Sequence, residues 1–558
     1  MSQRTLLKTL SIVIACVLFF PVLVIIGSVF TGQATVWSHL FQTVLFDYIN
    51  NSLLLMLGVA VGTLLLGVPT AWLTSVCEFP GRRWLSWALL LPLAVPAYII
   101  AYTYTGLLDF AGPVQTLIRD VFGLEYGEYW FFEVRSLQGA IVMLSLVLYP
   151  YVYLMSRTAF LEQSANTLEV SRSLGYSHAR SFFKLALPLA RPAIVAGVTL
   201  ALMETLADYG TVQYFGVSTF TTGIMRTFYG FGDVPAAYQL ASVLLLFVVC
   251  LILLERYSRR RLSYHLSGLR KTSHRRIKLS NNTAWMATTL CFSPIFLGFI
   301  IPAGQLLYWA MFKLESLNAA FFLLAWHSFY LAAIAAIIAV FLALLMAYAA
   351  RLNKDYSVRL AVSSVGLGYA LPGTIIALGI IVPFAWLDNK IIDFIESFVG
   401  IDVGLLLSGT LFALLFAYTV RFMAVSLGAI QSGLGKITPS IDDAGRSLGL
   451  RPIQVLRKLH VPLMSGSVLT ALLIVFVDVL KELPATLILR PFNFNTLAVR
   501  AHELASDELL ADAAPASLMI VLVGLAPVIL LSRSIDTRKN ARKNMEKDMR
   551  TKSGKKQP

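Results

Sequence analysis

The sequence is poor in charge. Only 13% of its 558 residues are Asp, Glu, Lys or Arg, about half the share of roughly 25% that soluble domains carry. Its hydrophobic content of 57% and mean hydropathy of +0.74 exclude a water-soluble globular chain and a disordered one. The alternation of apolar and polar residues typical of membrane β-barrels is also missing, since apolar blocks continue for about 20 residues. The composition therefore predicts an all-α polytopic membrane protein.

Cysteine is scarce as well. The four cysteines form no CxxC pair, so we expect neither disulfides nor a thiolate metal site. The net charge of +15 is concentrated in two basic stretches, Arg256–Lys278 and the tail from Arg533 onward. Both follow apolar blocks, where cytoplasmic segments collect Lys and Arg. The position of this charge therefore argues against a nucleic-acid partner. We also expect no resident metal and no cofactor.

Twelve apolar segments are long enough to cross a bilayer, which takes about 20 residues. They fall into two sets of six, separated by the first basic stretch. The first set is 8–30, 52–76, 84–108, 139–156, 193–215 and 235–255, and the second is 284–310, 325–350, 358–387, 402–424, 466–489 and 512–532.

Loop charges predict the orientation. The short loops Phe79–Arg83 and Arg351–Arg359 are basic, whereas the longer Asp109–Arg135 and Asp388–Asp402 are acidic. By the positive-inside rule, the basic loops, the central linker and both termini are expected in the cytoplasm.

The two sets of spans are copies of one another. Glu169-Val-Ser-Arg-Ser-Leu-Gly175 recurs 274 residues later as Asp443-Ala-Gly-Arg-Ser-Leu-Gly449, and the same offset aligns Pro188 with Pro462. Each copy has an even number of spans, so the copies are predicted to lie parallel in the membrane. The expected organisation is two transmembrane domains, 1–255 and 284–535, a basic linker, 256–283, and a basic tail, 536–558.

The longest repeated polar segments lie between the fourth and fifth spans of each copy, at about 160–190 and 434–464. Each has an acidic residue, two small residues, a Gly six positions after the acid and a Pro thirteen beyond it. The Gly can terminate a helix in a left-handed turn, which predicts a short helix, a sharp turn and a second helix ending before the Pro. An interfacial hairpin that only anchors the bundle is the alternative.

This spacing resembles the coupling loop of type I ABC-importer permeases. The resemblance implies a fold of two parallel six-helix repeats and a cytoplasmic contact with two copies of an ATP-binding subunit. The contact residues it implies are Glu169, Arg172, Gly175, Pro188, Asp443, Arg446, Gly449 and Pro462. No GxxxxGK[ST] motif occurs, so we expect no catalytic residues here and ATP use by the partner alone.

Acidic residues also occur inside the predicted spans, where ionisable groups are costly and usually functional. The repeat aligns Glu204 with Asp478 and Asp208 with Glu482, so each copy has two acids at i and i+4 on one helix face. We expect these four to line a translocation pathway suited to a hard cation. The alternative is that they brace the bundle by pairing with Lys481 or Arg421.

The segments Glu204–Gly216 and Lys481–Thr496, with His502–Glu508, resemble the ferric-iron permeases of binding-protein-dependent importers. The resemblance covers nearly the whole chain and implies a bacterial inner-membrane subunit that receives ferric iron from a periplasmic or extracellular binding protein. A permease for thiamine, polyamine, phosphate or sulfate, or a secondary transporter with six plus six spans, remains an alternative.

Overall fold

The computed structural model describes residues 3–31, 34–125, 128–163, 176–260, 276–353, 355–399 and 404–529. These residues are almost entirely helical, apart from one parallel pair of two-residue strands, β1 (Cys77–Glu78) and β2 (Ile277–Lys278). Ten of the described helices are long and apolar enough to cross a membrane, or up to twelve if each of two bent helix pairs is one span. The predicted all-α polytopic class is confirmed.

The helices of the first copy begin with α1 and end with α11. Their bounds are α1 (Gln3–Thr31), α2 (Ala34–Thr43), α3 (Leu45–Val76), α4 (Arg82–Ala88), α5 (Ala97–Leu108), α6 (Pro113–Phe122), α7 (Leu137–Glu162), α8 (Phe182–Ala207), α9 (Gly210–Tyr214), α10 (Phe220–Met225) and α11 (Val234–Arg260).

The second copy repeats this plan. Its helices are α12 (Asn281–Met311), α13 (Ala319–Leu352), α14 (Tyr356–Val365), α15 (Gly373–Val399), α16 (Leu411–Leu434), α17 (Pro439–Ser447), α18 (Pro452–Leu463), α19 (Ser465–Leu480), α20 (Pro484–Leu489), α21 (Leu497–Ser506) and α22 (Leu510–Ile529).

The two copies exchange their first long helices. Helix α1 packs on α13, α14 and α15 of the second copy, and α12 packs on α3, α4, α5 and α7 of the first. A Cβ at Gly379 would lie 2.4 Å from the Pro21 carbonyl oxygen, so the α1–α15 contact requires glycine there. Because each copy buries a helix of the other, the halves form one packed unit.

Side chains on one face of the bundle also link the copies. Arg135, before α7, makes a bidentate pair with Glu508, between α21 and α22, at Nη1–Oε1 2.8 Å and Nη2–Oε2 3.1 Å. The hydrogen bonds from Arg135 hold the pKa of the Glu508 carboxyl below its usual range. Both side chains are partly exposed, so the pair contributes modestly to stability.

Several predicted boundaries are wrong. The span predicted at 358–387 is two helices, α14 and α15, joined by a tight turn at Gly368–Ala370. The span predicted at 402–424 begins at Leu411. The acidic loop predicted from Asp388 is helical as far as Val399. Asp388 is fully buried and accepts hydrogen bonds from the backbone N–H groups of residues 406–408, so it fixes the following turn instead of facing solvent.

The spans predicted as continuous at 193–215 and 466–489 are both interrupted. Helix α8 ends at Ala207 and α9 begins at Gly210; α19 ends at Leu480 and α20 begins at Pro484. The interruptions fall at equivalent places in the two copies, and both adjoin the predicted acids.

Candidate functional site

A cavity of about 110 Å³ lies between the two copies at the interruptions of α8 and α19. All four acids singled out from the sequence line it: Glu204, Asp208, Asp478 and Glu482. Lys481 and Arg421, the two cations that could pair with these acids, line it too. The lining also contains Tyr98 and Tyr209 of the first copy, Tyr151 of α7, and Tyr369 of the turn before α15. The repeat symmetry of the sequence therefore brings these groups together in space.

Asp208 and Glu482 perform the same local task. Asp208 Oδ1 accepts from the backbone N–H of Thr211 and Val212, both at 3.1 Å, and its Oδ2 accepts from the Thr211 hydroxyl at 3.0 Å. Glu482 accepts from the N–H of Ala485 and Thr486, both at 3.0 Å, and from the Thr486 hydroxyl at 2.8 Å. Each carboxylate thus caps the short helix that follows the break.

The copies differ in their cations. Arg421 Nη1 of α16 donates to Glu482 at 2.9 Å, and both side chains are buried. Lys481 pairs with Asp478 at 2.8 Å. The positions equivalent to Arg421 and Lys481 in the first copy are Val147 and Ala207. Within the described ranges, neither Glu204 nor Asp208 has a Lys or Arg nitrogen within salt-bridge distance.

The polar loop of the second copy is the other candidate site. Helix α17 ends at a left-handed turn, where Gly449 has φ +75°. The N–H of Leu450 donates to the Gly445 carbonyl at 3.1 Å, and the N–H of Gly449 donates to that of Arg446 at 2.9 Å. This is the Schellman pattern, which requires a residue that tolerates positive φ. The predicted helix–turn–helix at Gly449 is present.

The proline of each polar loop departs from the expected pattern. Pro462 lies inside α18, and Pro188 lies inside α8, instead of following a helix end. A π-helical turn precedes each of them, at Leu456–His460 and Phe182–Ala186. Proline lacks an N–H and clashes with the carbonyl four residues back. The wider π-helical turn accommodates the proline. Helix α18 therefore continues past Pro462 until the 81° bend between Leu463 and Ser465.

A buried acid anchors α17 to the bundle, and the motif did not identify it. Asp442 Oδ2 accepts from Arg351 at the end of α13, at 3.0 Å from Nε and 2.6 Å from Nη2. His460 Nε2 lies 3.1 Å from Asp442 Oδ1. Arg351 also donates to the carbonyls of Leu434 and Ile437, at the end of α16. The adjacent acids Asp442 and Asp443 were the available signal.

The motif residues Asp443 and Arg446 face outward. Their side chains are 71% and 47% exposed, with 3.7 Å between Arg446 Nη1 and Asp443 Oδ1, so both are available to a partner. Glu169, Arg172 and Gly175 of the first copy lie outside the described residues. In the sequence, the positions equivalent to Arg351, Asp442 and His460 are Ser75, Leu168 and Ala186, so the first copy cannot form the same polar anchor.

Comparison with known proteins identifies the architecture. Residues 2–264 match the model of the family described as "Binding-protein-dependent transport system inner membrane component". The match covers the first of the two copies. Together with the relatives described next, it shows a membrane permease of an ABC-type importer. That class works with an ATPase and a substrate-binding protein.

Named relatives align either with nearly the whole permease or with about a third of it. The Fe(3+)-transport system permease protein FbpB 2 of Haemophilus influenzae is 27% identical over 94% of this chain and 98% of its own length. The molybdenum transport system permease protein ModB of the same organism is 28% identical over 36% of this chain and 87% of its own. The sulfate transport system permease protein CysT of Salmonella typhimurium is 27% identical over 32% of this chain and 64% of its own.

The permease's left-handed turn gives a first prediction. Replacing Gly449 with Val should displace the loop, because a β-branched residue at this φ costs about 1–2 kcal/mol or more. We expect uptake to fall relative to ATP hydrolysis in proteoliposomes containing the ATPase and the binding protein. Gly466→Val is the matched control, since Gly466 is helical and no other group lies within 4 Å of its Cβ position. Equal coupling ratios in the two variants would contradict the role of the turn.

The unequal cations give a second prediction. Glu482→Gln leaves the buried Arg421 without its counter-charge and should destabilise the permease by about 3–5 kcal/mol. Asp208→Asn weakens only a helix cap and should cost about 0.5–2 kcal/mol. Thermal unfolding of the purified proteins in detergent measures both. If Asp208→Asn lowers the melting temperature as much as Glu482→Gln does, the Arg421–Glu482 ion pair adds nothing to stability beyond the helix cap.

Proposed function

We propose that the permease imports ferric iron, delivered by a binding protein on the outer face of a bacterial inner membrane. Two observations support this cargo. The relative that aligns over nearly both full lengths carries a ferric-iron name, whereas the molybdenum and sulfate relatives align with about a third of the chain. The cavity between the copies has four carboxylates against two cations, and this excess of oxygen ligands suits a hard cation.

The cavity would be a stage of the pathway. Alternating access in transporters built from repeats moves the repeats about a site that lies between them, often where helices are interrupted. Both conditions hold for Glu204, Asp208, Asp478 and Glu482, which lie at the breaks and face a space shared by the two copies. The Arg135–Glu508 pair would close the opposite face from the polar loops and would have to separate for cargo to enter from outside.

The polar loops would transmit the work of ATP hydrolysis. Two ATP-binding subunits would dock on the cytoplasmic side, one at each loop, through Asp443 and Arg446 and their first-copy equivalents Glu169 and Arg172. The link from Asp442 to Arg351 gives the second loop a rigid connection to α13 and α16. ATP would be consumed by those subunits alone, and both termini of the permease would lie in the cytoplasm.

Uptake by the reconstituted importer tests the cargo. Proteoliposomes containing the permease and its ATPase are supplied with the binding protein on the side that corresponds to the outer face of the membrane. Radiolabelled ferric citrate, molybdate or sulfate is then added in parallel experiments. We expect ATP-dependent accumulation of iron and none of either oxyanion, because the cavity's carboxylates repel anions. Accumulation of molybdate or sulfate without iron would overturn the ferric assignment and favour an anion permease, whose cargo would contact Lys481 and Arg421.

A further inference from the structure

The four acids of the cavity are not equally available to a ligand. Asp478 and Glu482 are neutralised by Lys481 and Arg421 at 2.8 and 2.9 Å. Asp208 already accepts three hydrogen bonds from the first turn of α9. Glu204 has neither a cation partner among the described residues nor a helix end to cap. It is therefore the carboxylate with the most unused acceptor capacity in the cavity.

Phenol groups from both copies line the same cavity as this carboxylate. The hydroxyl oxygen of Tyr369 of the second copy lies 3.4 Å from that of Tyr151 of the first copy. The two phenols therefore meet where the copies meet, in the cavity that Glu204 lines. A movement of one copy against the other would separate Tyr151 from Tyr369 and dismantle the cluster.

Tyr98 supplies an independent indication of a ligand. Its side chain lines the cavity and is 6% exposed, yet its hydroxyl has no hydrogen-bond partner among the described residues. A buried hydroxyl without a partner carries a free-energy cost, because it has lost its hydrogen bonds to water. Such a cost is recovered when a polar ligand enters the space that the hydroxyl borders.

We propose that Glu204, with the hydroxyls of Tyr151, Tyr369 and Tyr98, forms a transient site for a hard trivalent cation between the two copies, and that Asp208 and Glu482 serve to hold the helix breaks. This inference rests on the proposed transport of ferric iron. It goes further in assigning the cargo contact to one carboxylate and three phenols, most of them contributed by the first copy.

The donor set suits passage more than storage. Within the described ranges, no three His, Cys, Asp or Glu side chains are placed to hold a metal ion together. One carboxylate with neutral hydroxyl oxygens binds a hard cation more weakly than a cage of several carboxylates. Conduction requires a site that is favourable enough to enter and weak enough to leave, so a sparse set of oxygen donors fits a permease.

Iron retention by the full-length permease tests the site without requiring transport. The permease in lipid nanodiscs is equilibrated with radiolabelled ferric citrate, and retained iron is measured by rapid filtration, with Ga³⁺ citrate as a redox-inert competitor. We expect saturable retention that Ga³⁺ displaces. Glu204→Gln should weaken the apparent affinity about tenfold or more, as loss of a charge-assisted contact predicts. Glu315→Gln, at an exposed position far along the chain, is the matched control and should bind as the parent does.

A second variant guards against misfolding. If Glu204→Gln does not assemble, the double variant Tyr151→Phe/Tyr369→Phe keeps the ring volumes and removes only the two hydroxyls, and it should also lose affinity. Unchanged iron retention in the assembled Glu204→Gln permease, or in the double variant, would overturn the site. A permease that takes up iron with ATP but retains none in nanodiscs would also overturn it while leaving the proposed function intact. Uptake of an oxyanion would instead remove the function itself.

Discussion

The carboxylates that cap α9 and α20 make the interior of this permease possible. A helix broken among apolar segments exposes backbone N–H groups that lipid cannot satisfy. Asp208 and Glu482 meet that demand at both breaks with the same set of acceptors. Because the breaks are stabilised from within the chain, the backbone can turn away at this level and leave a space between the copies. The cavity and its exposed polar groups depend on these two caps.

The two copies are related by sequence but do not carry equal charge. The second copy buries its acids as ion pairs, since Arg421 and Lys481 have no counterparts at Val147 and Ala207. A similar division occurs at the polar loops, where only the second copy has the residues for the Arg351–Asp442 anchor. Fusing the copies in one chain allows this specialisation, because each half can change without altering the other. We infer that the second copy is the more rigid frame and that the first copy contributes most of the proposed cargo contacts.

Much of this arrangement could be predicted from the sequence, for identifiable reasons. Apolar length predicted the spans, and repeat offset predicted that Glu204, Asp208, Asp478 and Glu482 share one level. The breaks at Ala207 and Leu480 were missed because hydropathy does not register a backbone interruption inside an apolar run; the Asp-x-x-Thr and Glu-x-x-x-Thr capping patterns were the usable signals. The exchange of α1 and α12, and the meeting of Tyr151 with Tyr369, depend on contacts between distant segments. No local pattern encodes those contacts.

Accessibility of the cavity from the two sides of the membrane shows whether the transport pathway passes between the copies. Ala207 lines the cavity and carries no charge, so Ala207→Cys, with the four native cysteines replaced by serine, places a small thiol there. The rate of its reaction with a membrane-impermeant thiol reagent is measured from each side, without nucleotide and with a non-hydrolysable ATP analogue plus the binding protein. If the pathway passes between the copies, the side from which the thiol reacts should change between the two conditions. Reaction from the same side in both, or from neither, would contradict a pathway that passes between the copies.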